Sequence, residues 1–344
     1  MMMKVIIQIP CFNEAETLPL TLADLPRSLE GVDEVEWLII DDGSTDATVE
    51  QAVGHGVDYV VSHNRNLGLA SAFVTGLEAC AQLGADIIVN TDADNQYFAG
   101  DIQTLLDPIL NGSAEYVIGT RPIDSIREFS FLKKQLQKLG SWVVRVLSQT
   151  DIQDAPSGFR AITREAALRL HVFNRYTYTL ETVIQAGQSG IATTCVPVRT
   201  NEELRPSRLI SSIPTYLQKS SSTILRSLAT YRPLTFFVLP GVLLLLVAVF
   251  LGVRYLTFYF AGEGMGHLQS LILAVMLFIS GFSTITIGFL TDLIAVNRRL
   301  IEDVEYQTKS MLHRLEGNSG RLELSTRAKL VYRRSMEPDR KVPG

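Results

Sequence analysis

Between residues 4 and 199 the chain repeats one arrangement: a short apolar run, a polar cluster, then a stretch with apolar residues three and four positions apart. The apolar runs are KVIIQIP, EVEWLIID, VDYVVSH, DIIVNTD and EYVIGTR. Their β-branched content predicts strands, and their near-continuous apolar character predicts strands covered on both faces. The intervening periodic stretches predict helices over residues 16–29, 47–53, 69–83 and 101–110. An α/β fold follows, with a mostly parallel, Rossmann-like sheet and helices on both faces. Ligands of such sheets bind beyond the carboxyl ends of the strands. The clusters PCFNEAE, DDGSTD, NRNLGLA and TDADNQ all fall at that edge, which predicts one site built from four loops.

The pattern then changes. LTFFVLPGVLLLLVAVFLGV (residues 234–253) and LQSLILAVMLFISGFSTITIGFL (residues 268–290) carry no charge. Each is long enough to cross a hydrocarbon core of about 30 Å as a helix. The short connection between them predicts a transmembrane hairpin. Arg226 and Arg232 precede the first span and Arg298 and Arg299 follow the second, whereas the connection holds only Arg254. Positive flanks stay inside, so both termini and the α/β domain are expected in the cytoplasm. The N-terminal MMMKVIIQIP has too short an apolar run for a signal peptide.

Residues 204–232 mix Leu, Ile and Tyr with Arg, Lys and Ser, which predicts helices lying in the membrane surface. A linker helix packed on the domain is the alternative. The predicted organisation is a cytosolic catalytic domain over residues 1–203, juxtamembrane helices over 204–232, a two-helix hairpin over 233–292, and a cytosolic, polar, helix-prone segment over 293–344. Two spans bury little alone, so packing of hairpins into a homo-oligomer is a further expectation. A net charge of −5 over 344 residues gives no support to a nucleic-acid partner. Cys11, Cys80 and Cys195 lie far apart with no CxxC spacing, which argues against zinc and for a reducing compartment.

The chemistry concentrates in DIIVNTDADNQYF, where an apolar run ends in Asp92 and Asp94. Two like charges about 4 Å apart repel by about 1 kcal/mol in water and several times more in a partly buried cleft. A bound cation turns that repulsion into attraction. Asp92 and Asp94, with the amide oxygen of Gln96, suit a hard cation, Mg²⁺ or Mn²⁺. Such a cation is most useful where it also neutralises a departing diphosphate. In IIDDGSTDAT, Asp42 is placed to accept hydrogen bonds from a base N–H or a ribose hydroxyl, and Asp46 to cap the next helix. Asn13 and Glu14 are placed to meet a ribose, with helix capping the rival role for Asn13. Neither GxGxxG nor GxxxxGK[ST] is present, so neither a dinucleotide fold nor a P-loop is supported.

The ordered motifs IPCFNEAETL, IIDDGSTDAT, NRNLGLASA, DIIVNTDADNQY, GTR and DAPSGFRAITREA resemble glycosyltransferase family 2. With its two-span C-terminal hairpin, the chain is similar to the polyprenyl-phosphate, dolichyl-phosphate mannosyltransferase-like group of that family. The resemblance covers about residues 4–297. It implies a GT-A fold, a UDP- or GDP-sugar donor and a Mg²⁺ or Mn²⁺ ion. It places Pro10, Phe12, Glu14 and Asp42 along the nucleotide and Asp92, Asp94 and Gln96 at the metal. It also places Asp154 close to sugar and acceptor, and Arg160 near the donor phosphates or the turn that carries it. Phe12 stands where the family frequently has tyrosine; stacking on the base survives, a hydroxyl contact does not.

A polyprenyl phosphate is anionic at neutral pH and needs cations more than a general base. Arg121, after the strand EYVIGT, is the leading candidate to grip that phosphate, because arginine forks bind phosphate with two bonds. Lys133, Lys134 and Lys138 on the basic amphipathic segment, and Arg205 and Arg208 near the hairpin, are further candidates. The expected activity is that of a membrane-anchored inverting transferase, with Asp94, Asp154 and Arg121 at the reacting centre. Were the acceptor a sugar hydroxyl of a glycolipid or polysaccharide, Asp154 would have to act as base. Glu181 reads either as a site residue or as a solvated helix charge. A nucleotidyltransferase would need a glycine-rich N-terminal loop with arginine, which is not here. A non-catalytic membrane scaffold is the remaining alternative.

Overall fold

The computed structural model describes residues 2–122, 144–145, 148, 150–170, 172, 178–201, 225–226, 228–316 and 328–334. All five expected strands form: β1 (Lys4–Cys11), β2 (Glu34–Asp41), β3 (Tyr59–His63), β4 (Ile87–Asn90) and β5 (Tyr116–Thr120). They are joined by β6 (Arg160–Thr163), β7 (Thr193–Pro197) and β8 (Ala328–Arg333) in one sheet of order β7-β5-β6-β4-β1-β2-β3-β8. The β1–β2, β1–β4, β2–β3 and β5–β7 pairs are parallel, while β6 and β8 pair antiparallel to their neighbours.

Both faces are covered. Val5, Ile7, Ile9 and Cys11 of β1 join Trp37, Ile39, Leu18, Leu22, Ile102 and Leu105 in one apolar cluster. That cluster involves helices α1 (Leu18–Asp24), α2 (Thr48–Gly54) and α4 (Ile102–Leu110). On the opposite face, α3 (Leu69–Gln82) approaches so closely that a Cβ on Gly76 would lie 2.8 Å from Ile40. Each fully buried aliphatic side chain contributes about 1.5–3 kcal/mol. Two further helices, α5 (Arg164–Arg169) and α6 (Thr179–Gln188), complete the domain.

Helix α1 is shorter than the expected 16–29. Leu25 precedes Pro26 and is extended, with ψ 135°, because the proline ring disfavours the helical conformation before it. The larger correction is β8, in a region read as helix-prone. Its residues alternate half-buried and exposed along β3, so only its partner reveals it as a strand.

The chain divides into two compact units, residues 1–223 with 306–344, and residues 224–305. The second holds α7 (Pro233–Phe260) and most of α8 (Leu268–Glu316), which are joined by a short turn. Arg254, expected in the connection, lies on α7. The two helices approach closely at small residues: a Cβ on Gly241 would stand 3.0 Å from the Gly281 carbonyl oxygen. Both helices are long and apolar enough to cross a membrane.

Candidate active site

Strands β1, β2, β3 and β4 end side by side at Cys11, Asp41, His63 and Asn90, so the loops that follow share one edge. Asn90 is fully buried, a polar residue in an apolar strand. Its carboxamide oxygen accepts from Gln8 Nε2 at 2.9 Å, and its Nδ2 donates to the Gly158 carbonyl and the Tyr178 hydroxyl at 2.8 and 2.9 Å. Asn90 thereby joins the loop before β6 to the base of the loop that carries Asp92 and Asp94.

That loop is shaped for its two carboxylates. The Gln96 N–H donates to Asp94 Oδ1 at 3.2 Å, and Asn95 between them holds the left-handed conformation, φ 56°. A Cβ on Gly158 would come within 2.7 Å of Asp92 Oδ2, so only glycine lets the carboxylate lie where it does. The Tyr97 hydroxyl accepts from the Gly158 N–H at 3.0 Å, and its ring stacks on Phe159 with centroids 4.9 Å apart. Burial, reinforced by the Asp94 charge, pushes the Asp92 carboxyl well above the usual carboxylate range, against the opposing pull of Arg121 and Arg160. Among the described residues no hydrogen-bond donor relieves that carboxylate. A desolvated carboxylate beside a second one, without donors, fits a hard divalent cation. No group of three His, Cys, Asp or Glu forms a cage among the described residues, so such an ion would draw its other ligands from Gln96, water or a bound phosphate.

The loops after β1 and β2 are knitted together. Asn13, with φ 55°, donates its N–H to Ser44 Oγ at 2.9 Å, and its side-chain oxygen accepts from the Thr45 N–H at 2.8 Å. The Glu14 N–H donates to Thr48 Oγ1, and the Glu14 carboxylate accepts from Thr17 at 2.8 Å. Asp46, expected to cap α2, stands one residue before the cap position, which Ala47 takes, and accepts from the Thr48 N–H at 3.1 Å. Phe12 beside them is 38% exposed. Pro10 is buried in β1 opposite Ile40.

Asp42 is buried, and its carboxylate accepts from His63 Nδ1 at 2.7 Å and from the Leu67 and Gly68 N–H groups, both at 2.8 Å. It anchors the loop before α3. Asp41, one residue earlier, makes one such bond, from the Ser44 N–H at 2.9 Å.

After β5 and before β6, Arg121 and Asp154 form a bidentate pair. Arg121 Nε and Nη2 donate to the Asp154 oxygens at 2.8 and 3.0 Å, and the Arg121 N–H adds a third bond at 3.2 Å. Asp154 is fully buried. Arg160, expected near the donor phosphates or the turn that carries it, is fully buried, and all five of its N–H donors are occupied, by the Ser157, Ala155 and Thr179 carbonyls, Thr182 Oγ1 and the Tyr116 hydroxyl. It belongs to the turn rather than to the donor phosphates. Glu181 is likewise buried rather than solvated. Lys133, Lys134, Lys138, Arg205 and Arg208 lie outside the described residues.

The structure thus brings together the loops of Phe12, Glu14, Asp92, Asp94, Gln96, Arg121 and Asp154. Reading the sequence for charged groups missed the neutral residues that hold them: Asn90, Tyr97 and Gly158. The available signal was a polar residue, Gln8 or Asn90, inside an otherwise apolar strand.

Residues 6–170 match the family described as glycosyl transferase family 2. The chain is 30% identical over 202 residues to an uncharacterized protein of Methanocaldococcus jannaschii, covering 57% of this chain and 81% of that one. It is 30% identical to the UDP-N-acetylglucosamine–dolichyl-phosphate N-acetylglucosaminyltransferase of Methanococcus voltae, covering 56% of this chain and 83% of that one. With polyprenol monophosphomannose synthase of Mycolicibacterium smegmatis the identity is 26%, over 61% and 82% of the two chains. Among solved structures, glucosyl-3-phosphoglycerate synthase from Mycobacterium tuberculosis, in complex with Mn²⁺, UDP and glucosyl-3-phosphoglycerate, superposes with a TM-score of 0.52 at 20% identity, over 67% of this chain and 80% of that one. That likeness establishes a GT-A-type fold.

Proposed function

Because this chain belongs to glycosyl transferase family 2, we propose that it transfers a sugar from a nucleoside-diphosphate sugar to the phosphate of a polyprenyl lipid at the membrane surface. Asp92, Asp94 and Gln96 hold Mg²⁺ or Mn²⁺ in this reading. When bound, that ion neutralises the charge developing on the departing nucleoside diphosphate. Phe12 stacks on the base, and Glu14 and Asp41 offer carboxylate oxygens to the nucleoside.

The observation that carries the choice of acceptor is the Arg121–Asp154 pair. A hydroxyl acceptor requires a base, and the carboxylate expected to serve is buried with both oxygens held by Arg121. A lipid phosphate is already ionised and requires only positioning and a positive field. Its oxygen attacks the anomeric carbon from the face opposite the diphosphate. The carbon–oxygen bond to the donor's β-phosphate breaks, the nucleoside diphosphate leaves with the electron pair, and the anomeric configuration inverts. Arg121, oriented by Asp154, supplies cationic character beside the reacting centre. The Lys134, Lys138, Arg205 and Arg208 cations are assigned to the same phosphate on charge alone. Helices α7 and α8 serve as the membrane anchor, with both chain ends on the cytosolic side.

The test supplies UDP- and GDP-sugars to the full chain in detergent with Mn²⁺ and undecaprenyl phosphate, and follows lipid-linked sugar by mass spectrometry. A polyprenyl-phosphate sugar is expected, falling at least about a hundredfold in Asp94→Ala. Product formed only on a glycolipid hydroxyl, or equal activity in Asp94→Ala, refutes the proposal.

A further inference from the structure

Residues 199–201, just beyond β7, lie across the segment that completes the metal loop. The Phe98 N–H donates to the Arg199 carbonyl at 3.2 Å, Tyr97 and Thr200 form an antiparallel bridge, and the Asn201 N–H donates to the Gln96 carbonyl at 2.9 Å. The Asn201 side chain continues the contact. Its Nδ2 donates to the Asn95 carbonyl at 3.0 Å and stands 3.3 Å from the Tyr97 carbonyl and 3.4 Å from Asn95 Oδ1. Asn95 is also fixed from the other side, where its Nδ2 donates to Asp24 Oδ2 at 3.0 Å.

The short segment is itself clamped. Arg199 donates its backbone N–H and its Nη2 to Asp101, both at 2.6 Å, and its Nε at 3.1 Å. Its guanidinium also lies 4.0 Å over the Phe98 ring. The contacts of Thr200 and Asn201 fall on Asn95, Gln96 and Tyr97, the residues immediately after Asp94.

We propose that residues 199–201 form a strap that sets the shape of the metal loop, with Asn201 as its positioning residue. Asn95 is left-handed, a conformation that costs a non-glycine residue free energy and persists only where surroundings enforce it. Asn201 engages both the backbone and the side chain of that residue. It thereby fixes the turn that places the Asp94 carboxylate and the Gln96 amide on one cation. Release of the strap leaves both ligands in place but lets them wander, and the affinity of a metal site falls when its supporting bonds are lost.

This inference rests on the reading of Asp92 and Asp94 as metal ligands, and the test separates the two. Free Mn²⁺ is measured by its electron paramagnetic resonance signal in titrations of the full chain in detergent, with saturating UDP or GDP, whichever raises the melting temperature. In Asn201→Ala the half-saturating Mn²⁺ concentration is expected to rise about tenfold, while the melting temperature without metal stays near that of the parent. Arg199→Gln, an exposed side chain whose replacement leaves the backbone pairing intact, is expected to show a smaller rise in the same direction. Parent-like half-saturation in both folded variants overturns the strap alone, provided Asp94→Ala abolishes Mn²⁺ binding. Parent-like Mn²⁺ binding in Asp94→Ala overturns the metal reading and the strap with it.

Discussion

Asp92 and Gly158 show how far a single residue's role depends on a neighbour distant in sequence. The carboxylate is drawn from the loop after β4, whereas the space it occupies is left by a glycine before β6 that would otherwise place a Cβ 2.7 Å from Oδ2. Gly158→Ala forces the carboxylate to move, at a cost to stability of about 1–3 kcal/mol. The expected result is a folded protein with at least about a tenfold weaker dependence of transfer on Mn²⁺, measured from initial rates across a metal titration. Arg160 teaches the complementary point. A lone arginine after a glycine turn reads as a phosphate ligand, yet its five buried donors are taken up by oxygens of the turn, of α6 and of Tyr116. Charge is legible in a sequence; the direction in which a charged side chain points is not.

Among the elements, the clamp of the post-β7 segment onto the start of α4 carries a pH signature. Burial alone would raise the Asp101 carboxyl, but the hydrogen bonds from Arg199 outweigh it and hold the carboxyl below its ordinary value of 3.8. A carboxyl whose value is lower folded than unfolded stabilises fully above the unfolded value, and that contribution disappears as pH falls through the folded one. The stability difference between the parent and Asp101→Asn is therefore expected to be constant from pH 7 to about 5 and to shrink below pH 3.8, read from thermal unfolding at each pH. A difference unchanged down to pH 3 would show that the clamp contributes nothing through its charge. The strands β1 to β5 were legible from their own composition, because residues buried on both faces must be apolar regardless of neighbours. The edge strand β8 was not, since half of its side chains face solvent and its identity comes from pairing with β3.

For the whole molecule, the uncharged stretches 234–253 and 268–290 become helices α7 and α8. Their exposed surfaces include Leu239, Leu243, Leu246, Phe250, Met276, Phe278, Phe282 and Phe289. An apolar surface of that extent is costly in water and needs a cover. The full chain is expected to sediment with membranes, to stay there through an alkaline carbonate wash and to be released by detergent; release by carbonate alone would refute an integral anchor. A cysteine placed at Glu263, between the helices, is expected to react with an impermeant thiol reagent from the outer face, which is the side opposite to that proposed for the catalytic domain.

The sequence by itself determined the alternation of strand and helix, the edge of the sheet where chemistry collects, the paired carboxylates and the two apolar helices. Each follows from composition and spacing within one short segment. Tertiary structure decided which polar groups are taken up by the protein's own partners. Asp42 anchors a loop, Arg160 fills a turn, Asp154 is locked to Arg121, and Asn201 reaches back across more than a hundred residues of chain to Asn95. A hydrogen bond is satisfied by whichever partner lies within about 3 Å in space, and local sequence does not encode that distance.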